Sequence, residues 1–184
     1  ALMPWADTNI KWWGKEGSMR ALTPYLRLDE TKNYFNDMKL NVAMHIRNFM
    51  PSRDNDPSPT REYFEPGNDK EKYFINLMNK IEETFDFEKE FHIYSQGEDE
   101  WFDAFLNQGW EVHLHINEHP LVSLQHMIMA DIRVMSNSSM SYLAALYGQG
   151  LSIARENFPH ATLNTAYTDA DGNFDTSLIS VEAK

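Results

Sequence analysis

The chain has 184 residues, of which 42% are hydrophobic and 13% aromatic, and this composition supports the core of one globular domain and excludes an intrinsically disordered protein. Its 28 acidic and 16 basic residues give a net charge of −12, so its overall field repels nucleic acids and anionic membranes. The sequence lacks Cys, a membrane-spanning apolar stretch and a signal-peptide pattern, and these absences exclude thiolate chemistry and favour a soluble, cytoplasmic protein.

Two parts of the chain differ in pattern: residues 1–40 are predicted to be an N-terminal extension, and residues 41–184 one Rossmann-like domain. The extension contains three Trp and one predicted helix at residues 31–38. The domain begins with a buried strand at residues 42–46. A loop rich in Pro, Asp and Asn follows at residues 47–67, and loops of this length are usually functional or mobile.

The rest of the domain alternates predicted helices and strands. Apolar residues at spacings of three and four predict a helix that begins at Asn68 or Asp69. Further strands are predicted at residues 91–95, 110–116, 132–135 and 151–154, and further helices at residues 98–106, 120–130 and 139–147. This alternation favours an α/β fold with an open parallel sheet and helices on both faces. Asp171-Gly172 predicts a turn in the tail, which we expect to end in a short helix or hairpin.

Polar residues follow several of the predicted strands, at the edge where open α/β sheets bind ligands. They are Arg47, Ser95, Gln96, Asn117 and residues 136–141. A Ser-Asn-Ser-Ser segment before a helix offers hydroxyls and backbone N–H groups to a phosphate, and Arg47 offers a guanidinium to the same anion. The alternative is that the serines only cap the helix and that Arg47 is a surface cation.

The histidine pattern and the absence of several standard motifs limit the chemistry that the domain can perform. His113, His115 and His119 suggest a metal site, but no Cys or suitably spaced carboxylate completes the set, so we expect no metal. The phosphate loop, the three-glycine dinucleotide loop and the nucleophile elbow are all missing from the sequence. A kinase, a hydrolase and an NAD- or methyltransferase-type nucleotide binder are therefore disfavoured.

Three segments, taken together, resemble the fucosyltransferase-like glycosyltransferases of the GT-B fold. His45-Ile46-Arg47 is similar to the start of the H-x-R-R-G-D motif, and residues 91–96 (FHIYSQ) resemble the family's second strand and its end. The segment at residues 130–146 (ADIRVMSNSSMSYLAAL) resembles the family's serine segment. The resemblance extends to about residue 173, and it implies that the domain is half of a GT-B fold.

The resemblance also implies a donor, an acceptor and a set of site residues. Arg47 and the hydroxyls of Ser138, Ser139 and Ser141 would contact the diphosphate of a nucleotide sugar such as GDP-fucose. Arg47 and His45 would be the catalytic residues, with His45 orienting the strand end. The implied substrate-binding set also includes Ser95, Gln96 and Asn137. The sugar would pass to a glycan acceptor without a cofactor or metal ion, because protein groups stabilise the leaving diphosphate.

The chain also departs from the family pattern. Asn48-Phe49-Met50 stand where the family has Arg-Gly-Asp, and Arg53 and Arg61 are candidates to replace the lost cation. Candidate general bases, by residue type only, are Glu62, His113 and His115. A GT-B enzyme needs a second domain, so a partner or a missing segment would complete the cleft. Otherwise the domain is an inactive relative that serves as a binding or interaction module.

Overall fold

Six parallel strands form the sheet in the part of the chain that the computed structural model describes, residues 35–48, 66–156, 158 and 164–176. The strands are β1 (Leu40–His45), β2 (Lys89–Ser95), β3 (Val112–Ile116), β4 (Ile132–Val134), β5 (Leu151–Arg155) and β6 (Thr165–Thr168). Their order across the sheet is β3-β2-β1-β4-β5-β6. This is the strand order of Rossmann folds, in which β1 and β4 are neighbours at the point where the connections change direction. The predicted α/β fold is confirmed.

The helices begin where the sequence offers capping groups. They are α1 (Asp69–Thr84), α2 (Asp103–Leu106, after a 3-10 turn at Asp99–Phe102), α3 (Pro120–Met129) and α4 (Ser139–Tyr147). The Asn68 side chain accepts a hydrogen bond from the Glu71 N–H at the start of α1, and Pro120 occupies the first turn of α3. None of these helices has the length and apolar character that a membrane crossing requires.

Alternating residues of the strands face two separate hydrophobic layers. Val42 and Met44 pack in one layer with the apolar side of α1, which includes Leu77. Ala43 points to the opposite face and packs with α3 and α4, for example with Leu124. Because side chains alternate along a strand, helices on both faces of the sheet are needed to cover both layers. The predicted placement of helices on both faces is therefore confirmed.

The largest difference from the sequence prediction is a sixth strand. β6 pairs with β5 in parallel, and a bridge between Thr168 and Phe174 then closes a turn that contains Gly172 in a left-handed conformation (φ 88°). The predicted hairpin-like tail is therefore partly present, but the prediction of five strands was wrong. As an edge strand with only one neighbour, β6 is mostly half-exposed and has no apolar run that would mark it as a strand.

Smaller differences concern strand starts and the ends of the described ranges. β1 begins at Leu40 because Leu40 and Lys89 are paired in register, although the polar residues around them hide this start from pattern analysis. Residues 35–38 form a bend and turn, and the rest of the helix predicted at residues 31–38 lies outside the described residues. Arg53, Arg61 and Glu62 lie outside the described residues as well.

Candidate functional site

A cleft of about 770 Å³ lies at the carboxyl ends of the strands. Its volume is in the range of small-molecule binding sites. Seven of the eight residues that the sequence predicts for the site line this cleft: His45, Arg47, Ser95, Gln96, Asn137, Ser138 and Ser139. The residues that follow β1, β2 and β4 therefore meet at one edge of the sheet, as the strand-end argument requires.

A serine hydroxyl joins the end of β1 to the end of β4. The Arg47 N–H donates to Ser136 Oγ at 2.9 Å, and Ser136 Oγ donates to the His45 carbonyl oxygen at 2.5 Å. The Arg47 guanidinium donates through Nη1 to Gln96 Oε1 at 2.8 Å and to the Asn48 carbonyl oxygen at 2.9 Å. These bonds orient both the backbone and the side chain of Arg47, which lines the same cleft as the serine segment.

The amino-terminal end of α4 borders the same cleft. Ser138 is the N-cap, and its Oγ accepts a hydrogen bond from the Met140 N–H at 3.2 Å, so the capping role considered in the sequence analysis is present. Asn137 and Ser139 are exposed on either side of this cap. The positive end of the helix dipole therefore points at the cleft, together with the exposed hydroxyl of Ser139.

His45 and Ser141 form a buried pair beneath the cleft. His45 is 4% exposed and Ser141 is 1% exposed, and His45 Nδ1 lies 2.7 Å from Ser141 Oγ. Ser141 Oγ also accepts a hydrogen bond from the Ser136 N–H at 3.2 Å. Ser141 does not line the cleft, so its implied contact with the diphosphate is not supported, because its hydroxyl is used to hold β4 and α4 against β1.

Burial, together with the positive charges of Arg47 and Lys70, lowers the pKa of His45 to about 3. Its imidazole is therefore neutral at physiological pH, and it is unsuited to proton transfer near neutrality. His45 therefore supports the strand end as a positioning residue, and its buried, neutral imidazole does not fit the catalytic role that the resemblance implies for it.

Two cations of the cleft were missed in the sequence analysis. Lys70, in the first turn of α1, donates through Nζ to the carbonyl oxygen of Arg47. Arg155, the last residue of β5, lies with its guanidinium carbon 4.0 Å from the centre of the Tyr73 ring. With Arg47, these residues give the cleft three cationic side chains against one carboxylate, Glu118, among the residues that the structure describes. A chain of net charge −12 therefore has a locally basic cleft.

Other residues considered in the sequence analysis have structural roles or lie elsewhere. Asn117 adopts a left-handed conformation (φ 59°), and its amide bonds both the N–H and the carbonyl of Gly97, so it shapes a turn. His113 and His115 do not line the cleft, which removes them as candidate bases there. His119 caps α3 by accepting from the Leu121 N–H.

Comparison of the chain with protein-family models, with curated proteins and with solved structures finds no match. The resemblance to fucosyltransferase-like enzymes thus depends on the residues of the three segments alone. Any function has to be argued from the shape, charge and hydrogen bonding of the cleft, and the fold itself belongs to the Rossmann-like α/β class.

Proposed function

We propose that this domain binds a nucleotide-sugar donor, GDP-fucose or a similar one, in the cleft and transfers its sugar to a glycan acceptor. The observation that carries the proposal is the direct connection between Arg47 and the serine segment. The Arg47 N–H donates to Ser136 Oγ, and Ser138 and Ser139 line the same cleft as the guanidinium. A guanidinium and a helix N-terminus at one point favour a ligand with two linked phosphates.

The charge of the cleft supports the same ligand class. Arg47, Lys70 and Arg155 line it, while the rest of the chain is acidic. In sugar transfer the bond between the sugar carbon and the diphosphate oxygen breaks, and negative charge develops on the departing diphosphate. Fixed cations at that position stabilise the transition state more than the ground state, so no metal ion is required in this proposal.

The altered family motif is compatible with this role because other residues supply positive charge. Asn48, which replaces the second Arg of the motif, is buried, and its Nδ2 donates to the Gln96 carbonyl oxygen at 3.0 Å. Gln96 in turn accepts from the Arg47 guanidinium. Asn48 therefore keeps the turn in shape, and Lys70 and Arg155 take over the electrostatic contribution that the motif has lost.

The acceptor step needs a group that accepts the proton of a sugar hydroxyl. His45 is buried and neutral, so it does not fit that role. Glu118 is the carboxylate that lines the cleft in the described part of the chain, and we assign it as the candidate base. The acceptor itself would be held by a partner or by a further segment of the chain.

A second candidate function is a non-catalytic binding module with the same fold. It is favoured by one observation, that the Arg47 guanidinium already donates to Gln96 and to the Asn48 carbonyl within the protein. In that case the cleft would bind a glycan or a protein segment without breaking the donor bond.

Titration calorimetry with GDP, GDP-fucose and a uridine diphosphate sugar tests the proposal. We expect GDP and GDP-fucose to bind, and Arg47→Ala to lower the affinity about 10- to 100-fold, as expected for a charge-assisted hydrogen bond. Lys72→Ala is the matched control, because Lys72 is exposed on α1 two residues from Lys70 and pairs only with Asp69 among the described residues. Absence of binding at millimolar nucleotide, together with no effect of Arg47→Ala, would refute the donor site.

Product analysis separates the two candidate functions. Release of free fucose from GDP-fucose, or its transfer to any glycan, favours the enzyme. Binding of glycan without nucleotide favours the module.

A further inference from the structure

Four histidines lie close together on the face of the sheet that α3 covers, outside the cleft. This histidine cluster consists of His92, His113, His115 and His126. His92 is paired with His113 in the register of β2 and β3, and their rings stack with centroids 4.8 Å apart. The ring of His92 also stacks on His115 at 5.3 Å, and His115 lies 6.1 Å from His126. The cluster therefore joins two strands and a helix through imidazole rings.

A buried carboxylate lies at one end of the cluster. Glu90 is 3% exposed, its Oε1 lies 3.1 Å from His92 Nε2, and its Oε2 lies 3.8 Å from His113 Nε2. One ligand atom from each of these three residues lies within 4.8 Å of the other two. A buried carboxylate requires a compensating positive charge or hydrogen bonds. Its Oε1 accepts the Asn36 N–H at 2.7 Å, which fixes its orientation.

The ring of His92 provides an independent indication. His92 is 1% exposed, and its Nε2 makes no hydrogen bond to any described residue, although Glu90 Oε1 is 3.1 Å away. Its other nitrogen, Nδ1, lies 3.0 Å from His115 Nε2. When the Nδ1 proton is donated to His115, an unshared electron pair on Nε2 faces the Glu90 carboxylate. In this tautomer the two electron-rich atoms repel each other unless a proton or a metal ion lies between them.

We propose that Glu90, His92 and His113 bind a divalent transition-metal ion, with Zn²⁺ as the natural candidate. Two imidazoles and one carboxylate are a common ligand set for Zn²⁺, whose bonds to nitrogen and oxygen of about 2.0–2.2 Å place tetrahedral ligands roughly 3.4 Å apart. The two Glu90–histidine distances lie on either side of this value. The three ligand atoms lie within 4.8 Å of one another, so they must move closer together when they bind one ion, and the half-exposed His113 is the ligand with room to do so.

The surroundings of this site suit a metal ion. The hydrogen bond between His92 Nδ1 and His115 Nε2 is an outer contact of the kind that orients a ligating imidazole. Glu111 Oε1 lies 3.5 Å from His113 Nε2 and adds a second carboxylate at the rim, while Lys39 pairs with Glu111 on the outside. The His113 side chain is 44% exposed, which leaves a path for the ion and a place for a water ligand.

The metal site is separate from the cleft. Glu90, His92 and His113 do not line the cleft, so the inference does not depend on the proposed sugar transfer. An ion bound to these residues would fasten β2 to β3 and, through Asn36, to the segment before β1. Its role would be structural, since it would join these elements and two of its three ligands are buried.

The test uses the full chain without a histidine tag, freed of metal by dialysis against a chelator. Titration with Zn²⁺ is expected to give one site per chain with micromolar or tighter affinity, and Co²⁺ is expected to give visible absorption bands of a nitrogen and oxygen site. His113→Ala removes the exposed ligand and is expected to lower Zn²⁺ affinity by at least about tenfold, since even lost outer partners cost that much. His119→Asn is the control, because His119 is exposed and Asn can also cap a helix.

Two results would overturn the site. One is the absence of stoichiometric Zn²⁺ binding in the micromolar range, and the other is equal affinity of the His113→Ala and His119→Asn chains. If His113→Ala fails to fold, the site can be tested in the unmodified chain by adding Co²⁺ and recording the nuclear magnetic resonance signals of the histidine ring protons. Selective broadening of the His92 and His113 ring protons supports the site, and broadening at His119 without them refutes it.

Discussion

The cleft and the histidine cluster are two polar regions of one sheet, and they hold their polar groups in different ways. In the cleft, the groups follow the ends of strands, where loops and the start of α4 orient Arg47 and Ser138. In the cluster, the groups lie on the strands themselves, where the pairing of His92 with His113 decides which rings meet. The first region depends on the order of the strands, and the second depends on their register.

The two regions also differ in charge. The cleft is lined by Arg47, Lys70 and Arg155 with one carboxylate, so it favours an anion. The cluster combines imidazoles with Glu90, so it favours a cation. One acidic domain therefore presents opposite preferences at two places, and net charge alone gives no guide to either of them.

Of the changes predicted for the two regions, acid should lower the free energy of unfolding most, because both regions contain buried neutral histidines. Burial lowers the pKa of His45 to about 3 and the pKa values of His92 and His115 to about 4, whereas an unfolded histidine titrates near 6.5. Between pH 6.5 and 4 the unfolded chain binds more protons than the folded one. Stability is therefore present above pH 6.5 and is lost as the pH falls, by up to about 1.4 kcal/mol per pH unit for each proton.

Urea unfolding of the metal-free chain at several pH values between 7.5 and 4.5 measures this loss. His45→Gln in the cleft should lower the number of protons taken up on unfolding by about one. His115→Gln in the cluster should lower it by less, because His115 is partly exposed. A free energy of unfolding that stays constant or rises as the pH falls from 7 to 5 would contradict the neutral, buried histidines.

The sequence predicted much of the cleft because carboxyl ends of neighbouring parallel strands meet at one edge. The same rule, applied to the residue after the fifth predicted strand, would also have found Arg155. Lys70 could not be found in this way, since its place depends on how α1 packs beside β1. Ser141 was assigned to the ligand because sequence gives no measure of burial within a helix turn.

The cluster was harder to predict for a different reason. The alternation of His113 and His115 was visible, but Glu90 and His92 belong to another strand. Only the register of β2 and β3 joins His92 to His113, and a shift of one residue would turn these side chains to opposite faces. Sequence reasoning therefore grouped His113 with His115 and His119 and disfavoured a metal.

Two serines of α4 provide the next test of how the cleft is built. Ser141→Ala leaves His45 Nδ1 and the Ser136 N–H without their buried partner, so we expect a loss of about 1–3 kcal/mol in the free energy of unfolding. Ser139→Ala, at an exposed position in the same helix, should change it by less than about 0.5 kcal/mol. Denaturant unfolding of both variants measures these losses. Equal losses would mean that the buried pair of His45 and Ser141 contributes nothing to stability.

The smallest expected effect concerns Arg155, which tests whether the cleft binds its ligand through several cations or through Arg47 alone. Arg155→Gln removes one positive charge at the end of β5 and the contact with the Tyr73 ring. Because an exposed charge pair contributes about 0.2–1 kcal/mol, the affinity for GDP should fall by a factor of about 1.4 to 5, with a weaker dependence on salt. Lys72→Gln removes the same charge from the outer surface of α1, so an equal loss in both variants would assign the effect to the overall field. A loss confined to Arg155→Gln would instead assign it to the cleft, and Arg155 would then supply part of the charge that the altered motif after β1 has lost.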